Sequence, residues 1–488
     1  MSADPLDLAG VADAFTPLSA ATRATIRVAT GPRILEQHPV SRTDGLTEAA
    51  HAERFAREYG GAYRFDHRRH AWLIWDGRRW ADDTTGECYR SAVELARNLY
   101  LGALNETSAD RRQAIAEWAI RAESHQRIKN TLALASHLPP LADKGDLWNA
   151  DPFLLNTPTG LVDLRTGHCR DSRPEDRLTF CTRAPYDPTA PCARWLRFLE
   201  EVFAGDPDLI RFIHAAVGYS LTGSTREQVL VICHGAGANG KGSFLNTLAD
   251  LLGDYSWNMP FSTVEQQQRT STSNDVAALH GRRFVIASET NDGTRLNEAR
   301  IKALTGCDPM TARFLYSELF TFRPVGKFWL AVNHKPVVRD DSYGFWRRVR
   351  LVPFLRTFPV CATLADELYA EASGILRWAV EGCLAWQRDG LVVPSAVITA
   401  TGDYQAENDV LADFLEECCD LSPHVETKPA DLYAQYTRWA DARGLVRPER
   451  LSLKSFGLKV KARYQETRSG GVRRYLGVAP RQGVPDVS

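Results

Sequence analysis

The chain has 488 residues, 44% hydrophobic and 24% charged, a globular mix that excludes wholesale disorder and leaves room for two to four domains at roughly 100–200 residues each. With a formal net charge of −1, any polyanion contact must rest on local clustering of charge. No apolar run approaches the roughly 18–20 residues of a membrane span, no basic-then-apolar leader opens the chain, and none of the ten cysteines form a C-x-x-C pair. These features point to a cytoplasmic protein with no membrane partner, zinc ribbon or disulfide framework.

Residues 1–42 lack sustained periodicity and read as a mobile tail. Residues 43–190 read as a mainly helical region. Thr43-Asp44 is a candidate cap for a helix carrying Leu46, Ala49, Phe55 and Tyr59. Two aromatic-rich runs flank Asp76-Gly77, a dipeptide suited to a tight hairpin turn. A helical stretch from Ser91 to Ser136 follows, with Leu95, Leu99, Ile115, Trp118 and Ile128 as core positions. A second hairpin is expected at Leu161–His168, and Pro185–Pro191 reads as a linker.

Between 191 and 394 the texture becomes α/β. Trp195, Phe198, Leu199 and Val202, then Ile210, Ile213 and Val217, recur at helical spacing and predict packed helices. Val229–Cys233, Arg283–Ala287 and Phe328–Val332 are continuous apolar runs of the kind that form buried parallel strands. A helix over Leu364–Gln387 closes the block. Residues 395–480 form a third unit, with helices near Asp403–Cys419, Pro429–Arg443 and Ser452–Ala462 and a hairpin over Gln465–Tyr475. Three helices and a terminal ribbon describe a winged-helix module.

The strongest motif is Gly235-Ala-Gly237-Ala-Asn239-Gly240-Lys241-Gly242-Ser243, set between a predicted strand and an apolar-periodic helix through Phe244, Leu245 and Leu248. Such a loop turns successive backbone N–H groups toward phosphate oxygens, backed by the positive end of the helix, and its lysine adds a point charge at the terminal phosphates. ATP with Mg²⁺ is the expected ligand. The residue after the lysine is ordinarily Ser or Thr, whose hydroxyl meets the metal. Here it is Gly242, so Ser243, rotated about 100° around the helix, becomes the candidate metal ligand. Phe284–Glu289 would deliver a carboxylate at a strand's C-terminal end, where a doubly wound sheet opens its ligand crevice. Glu289 is therefore the candidate to orient the attacking water or to hold Mg²⁺. Asn333 ends a second such strand, where its amide can bond phosphate and water without adding negative charge.

These motifs, in this order, resemble the superfamily 3 helicases of the phage and plasmid primase-helicase family (the P4 and poxvirus D5 type). Asn156–Gly167 resembles the end of the family's D5 N-terminal region, Gly281–Thr290 its Walker B region, and Lys302–Asp308 its B′ motif. Asn333 and Phe345–Phe354 resemble its sensor and arginine-finger segments. The resemblance implies an AAA+-like P-loop motor, assembly into a homo-oligomeric ring, expected to be a hexamer, and movement 3′ to 5′ along DNA. It also implies that Arg347 or Arg348 reaches the neighbouring protomer's site. Between the Walker B and sensor strands it implies a hairpin gripping single-stranded DNA through Arg313 and Tyr316, with Lys302 nearby. The family's amino-terminal primase is not expected in this chain, so priming would fall to a separate primase or polymerase.

From Arg447 to Arg481 there are ten Lys/Arg against two Glu. Lys454, Lys459 and Lys461 on the expected recognition helix, with Arg473 and Arg474 beside the Gly470-Gly471 turn, suit duplex DNA. The reading is an ATP-dependent DNA helicase acting in replication of a phage, plasmid or other mobile element. An initiator or loader ATPase without processive unwinding is the alternative. A small-molecule kinase fits less well, because it needs neither paired arginines nor a basic tail.

Overall fold

The computed structural model describes residues 45–266, 273–289, 293–313, 319–445, 450–469 and 471–481. The expected tail, the Thr43-Asp44 cap and Tyr316 lie outside the described residues. Thr47 caps the first helix, Glu48–Tyr59, its hydroxyl accepting from Ala50 N at 3.2 Å. That helix buries Ala52, Phe55 and Tyr59. The expected hairpin joins Ala71–Trp75 to Trp80–Asp82, and its turn is held by Asp76 Oδ1, which accepts from Arg78 N and Arg79 N at 2.8 Å each. Tyr63–Asp66 and Ala142–Asp143 extend this hairpin to four strands. The predicted Ser91–Ser136 stretch comprises three helices, Glu87–Leu104, Ala109–Ala122 and His125–Ala135, and Leu95, Leu99, Ile115, Trp118 and Ile128 are all buried. A three-stranded antiparallel sheet, Leu154–Thr157, Gly160–Asp163 and His168–Arg170, includes the second predicted hairpin.

At the centre is a five-stranded, wholly parallel sheet. Its order is Val349–Pro353, Leu230–His234, Lys327–Val332, Phe284–Ser288, Ser256–Asn258. The three apolar runs form its three inner strands, each within a residue or two of the expected bounds, because both faces of this sheet are covered. One face packs on Ala193–Val202, Pro207–Ser220, Lys241–Leu252 and Ala372–Asp389, around Trp195, Phe244, Trp329 and Trp386. The other packs on Leu296, Ile301, Leu304, Phe345 and Tyr404.

Two predicted helices are broken by tertiary demands. The Leu364–Gln387 helix divides into Leu364–Ala370 and Ala372–Asp389 at Glu371, whose carboxylate accepts from Arg194 N and Trp195 N at 3.0 and 2.9 Å and so caps a different helix. The Asp403–Cys419 helix divides into Ser395–Glu407 and Val410–Cys418, the second capped by Asp409. Ser395–Glu407 packs on the central sheet although it follows residue 394: Thr401 Oγ1 accepts from Leu351 N at 3.0 Å, and Tyr404 is fully buried. The C-terminal unit then comprises Val410–Cys418, Pro429–Ala442 and Leu453–Arg463 with a three-stranded antiparallel sheet, around Phe414, Tyr436, Phe456 and Tyr475. Among the described residues, no helix is long and apolar enough to cross a membrane.

Candidate functional site

Register gathers the site. Val332 pairs with His234 and Ala331 with Ser288, so the strands preceding Gly235, Asn333 and Glu289 end together on the C-terminal edge of the sheet. Adjacent strands lie about 4.8 Å apart, which places these three positions across two strand spacings. Crossovers leave the Leu230–His234 strand toward one side and return on the other, the arrangement that opens a crevice in a parallel sheet.

The glycine-rich loop runs from this strand to the helix Lys241–Leu252, which anchors it by burying Phe244, Leu245 and Leu248. Phe244 stacks on Trp195 with ring centroids 5.7 Å apart. Two glycines are required by geometry. A Cβ on Gly235 would sit 2.2 Å from Asn239 Nδ2 and 2.3 Å from Phe354 O, and Gly240, the N-cap, has φ +82° with Val202 Cγ2 2.8 Å from where a Cβ would lie. Gly237 also adopts positive φ, whereas Gly242 faces solvent. Asn239 is buried and its amide donates inward to Phe354 O at 3.3 Å. Its side chain therefore ties the loop to Phe354, just past the strand Val349–Pro353, and its Oδ1 accepts from Lys241 N at 3.5 Å.

Lys241 is buried. Its Nζ donates to Gly235 O and, at 3.2 Å, to Asn333 Oδ1. Burial pulls the ammonium below the usual lysine range, so an approaching phosphate would favour its charged form. Burial and the cations of Lys335 and Lys241 likewise lower the His234 pKa. Asn333 is exposed, Glu289 and Ser243 are half-buried, and Glu289 N extends the sheet by donating to Ala331 O at 3.0 Å. Among the described residues no group of three His, Cys, Asp or Glu is placed to hold a metal ion. One hydroxyl and one carboxylate suit a hydrated Mg²⁺ that shares its remaining ligands with phosphate oxygens.

The structure separates the paired arginines. Arg348 is buried, donating through Nε to Thr305 Oγ1 at 3.1 Å and through Nη1 to Gly344 O at 2.6 Å. It braces its own chain and is not presented to a neighbour. Arg347 is exposed and reaches Gln228 Oε1. Lys302 pairs with Asp340 and donates to Ser342 Oγ at 3.1 Å. The acids Asp340 and Asp341, between Asn333 and Arg347, were not singled out in the sequence. Their signal is the adjacent pair of carboxylates itself.

A two-stranded hairpin, Met310–Ala312 with Phe320–Phe322, does lie between the Glu289 and Asn333 strands. Arg313, directly after its first strand, is exposed. In the C-terminal unit, Lys459 pairs with Asp341 of the central domain at 3.1 Å, Lys461 with Glu466 at 2.6 Å, Arg473 with Glu466 at 3.4 Å and Arg474 with Glu426 at 2.7 Å. Lys454 is exposed and has no ion pair among the described residues.

Three family models match successive parts of the chain: D5 N terminal like over residues 52–204, a family of unknown function (DUF5906) over 233–348, and poxvirus D5 protein-like over 406–470. A protein of Acanthamoeba polyphaga mimivirus named a putative helicase is 26% identical over 54% of this chain and 30% of its own length. Frog virus 3 (isolate Goorha) has one so named that is 25% identical over 61% of this chain and 40% of its own. An African swine fever virus protein named a putative primase is 24% identical over 41% of this chain and 22% of its own length. The chain thus spans less than half the length of these relatives. The apo structure of the NrS-1 C terminal region aligns over 90% of this chain and all of that one, at 10% identity and a TM-score of 0.44. The fold is mixed α/β with a parallel sheet, and its family matches and viral relatives relate the chain to the D5-like primase-helicase proteins of large DNA viruses.

Proposed function

We propose that this chain is the P-loop motor of a superfamily 3 DNA helicase, carrying a winged-helix module after the motor and working as a ring, with a hexamer as the expected form. The observation that carries this reading is the convergence of the glycine-rich loop, Lys241 and Asn333, with Glu289 on the next strand end. ATP is the substrate whose phosphates this loop suits. Backbone N–H groups from Gly235 to Ser243 hold the phosphates, and Lys241 turns from Gly235 O and Asn333 Oδ1 to the terminal pair. Glu289 and Asn333 orient a water in line with the terminal phosphorus. The new P–O bond forms as the bond to the bridging oxygen breaks, and the water's proton passes toward Glu289. Mg²⁺ would be held by Ser243 and Glu289 together with phosphate oxygens, and would neutralise charge there. Arg347, exposed and held in its own chain only by Gln228, is the residue proposed to complete a neighbouring protomer's site.

Opening a base-pair step costs about 1.4 kcal/mol in stacking, so net unwinding requires hydrolysis coupled to movement of a strand-gripping element. The hairpin that bears Arg313 is proposed for that role. A forked-duplex displacement assay comparing the native protein with Lys241→Ala tests the reading. Displacement by the native protein alone supports it. Hydrolysis without displacement would replace it with an initiator or loader ATPase.

A further inference from the structure

At the opposite end of the central sheet from Lys241, where the parallel strands begin, a cleft of about 490 Å³ opens between the N-terminal hairpin turn and the edge strand Ser256–Asn258. Arg78, Arg79, Arg183, Arg282 and Trp257 line it, with Asp76 and Asp254 as its acids. Both acids are already engaged. Asp76 Oδ1 accepts the two turn N–H groups, and Asp254 Oδ2 accepts from the Arg79 guanidinium and, at 3.1 Å, from Cys181 N. Arg79 and Arg282 are braced, the latter lying over the Phe180 and Trp257 rings at 5.0 and 5.4 Å.

Two guanidinium groups are left over. Arg78 is exposed, and among the described residues its side chain makes no hydrogen bond or ion pair. Arg183 is 60% exposed, with one long contact to the equally exposed Asp250 at 3.5 Å. Trp257 Nε1 is a further donor, buried without a partner. The cleft thus holds two guanidinium groups that its two carboxylates do not pair. Its volume falls within the roughly 300–1,000 Å³ of ligand sites, and arginine forks match phosphate geometry. Because the free arginines come from two separate segments, along an open cleft rather than in a closed pocket, an extended chain of phosphates fits better than a compact anion.

We propose that this cleft binds the phosphodiester backbone of a single-stranded nucleic acid, at a site separate from the nucleotide loop and from the basic C-terminal unit. The choice of a nucleic-acid strand rests on the motor reading; the anion chemistry of the cleft does not. The test is anisotropy of a labelled oligothymidylate titrated across a salt series with native protein and the Arg78→Ala/Arg183→Ala double variant. Each single-strand phosphate contact contributes roughly 0.7 to the salt slope, so losing two should flatten it by about 1.4 and weaken binding. Basal ATP hydrolysis and thermal melting should match the native protein, and Arg78→Lys/Arg183→Lys should restore the slope. A folded double variant with native slope and affinity would overturn the proposal. So would one that loses inorganic tripolyphosphate binding, read by calorimetry, while holding the oligonucleotide as before, since that marks a small-anion site. Lys241→Ala should keep the slope. If the native protein hydrolyses no ATP yet the double variant still flattens the slope, the motor reading fails and the cleft stands.

Discussion

Replacing Arg348 with Ala should destabilise the central domain, whereas replacing Arg347 should leave its stability unchanged and remove activity. Arg348 makes two charge-assisted bonds, to Thr305 Oγ1 and Gly344 O. At roughly 1.5–3 kcal/mol each, they bound the loss between about 3 and 6 kcal/mol. Thr305 keeps its own bond to Ile301 O at 2.7 Å, and Gly344 is only half-buried, so water can reach its carbonyl. These two facts favour the lower end, about 3 kcal/mol. Arg347 is exposed with a single partner, Gln228, and its loss should change stability by no more than about 0.5 kcal/mol. The assay is urea unfolding followed by tryptophan fluorescence, Trp346 immediately preceding the two arginines in the chain, in parallel with ATP hydrolysis by native protein doped with each variant. Arg347→Ala should depress turnover of mixed assemblies beyond its mole fraction. The reasoning is refuted if Arg348→Ala unfolds at the native midpoint, or if Arg347→Ala alone shifts it.

Asn239→Ala should raise the KM for ATP several-fold while changing stability by about 1 kcal/mol, because one neutral buried bond to Phe354 O is lost; steady-state kinetics with a melting control reads both. His280 lies edge-on to Phe320 and Phe322, and burial together with the Arg68, Arg69 and Arg282 charges lowers its pKa to about 4. Its folded-state pKa is below the ordinary 6.5, so its contribution is fully present above pH 6.5 and lost as pH falls through about 4. His280 itself is exposed, so solvent screening keeps its effect on stability well short of the full shift, and His280→Gln should flatten the acid limb of stability only slightly across this window. Asp341→Asn frees Lys459, whose partner is 55% exposed. The loss in stability should stay within about 1 kcal/mol, while cleavage between the two units in limited proteolysis should quicken and duplex DNA affinity should rise.

What could be read from the letters follows what each element depends on. Strands buried on both faces are written as unbroken apolar runs, which is why Leu230–His234, Phe284–Ser288 and Lys327–Val332 were located. The edge strand Ser256–Asn258, three residues long and half-exposed, carries no such mark, and the alternation of Tyr63–Asp66 is too short to register. Helix boundaries at Glu371 and Asn408-Asp409 depend on distant partners. Glu371 caps the helix at Arg194, and Asn408 Oδ1 accepts from Val338 N at 2.8 Å. Asp409 could have been recognised as a cap from its type and place; Glu371 could not. Motif order singled out Lys241, Asn333 and Glu289, which the fold gathers at one edge of the sheet. It could not tell Arg347 from Arg348, because burial of the second depends on Thr305, more than forty residues away in the chain.

In the proposed motor, the bond between Lys241 and Asn333 would set binding and turnover against each other. To greet a phosphate, the ammonium must first let go of two oxygens from its own chain, and whatever fraction of molecules stay clasped weakens apparent capture in proportion. Trimming Asn333 to alanine would release half of that grip. The same change would strip the crevice of the amide proposed to aim the water, so a tighter hold on nucleotide should accompany slower chemistry.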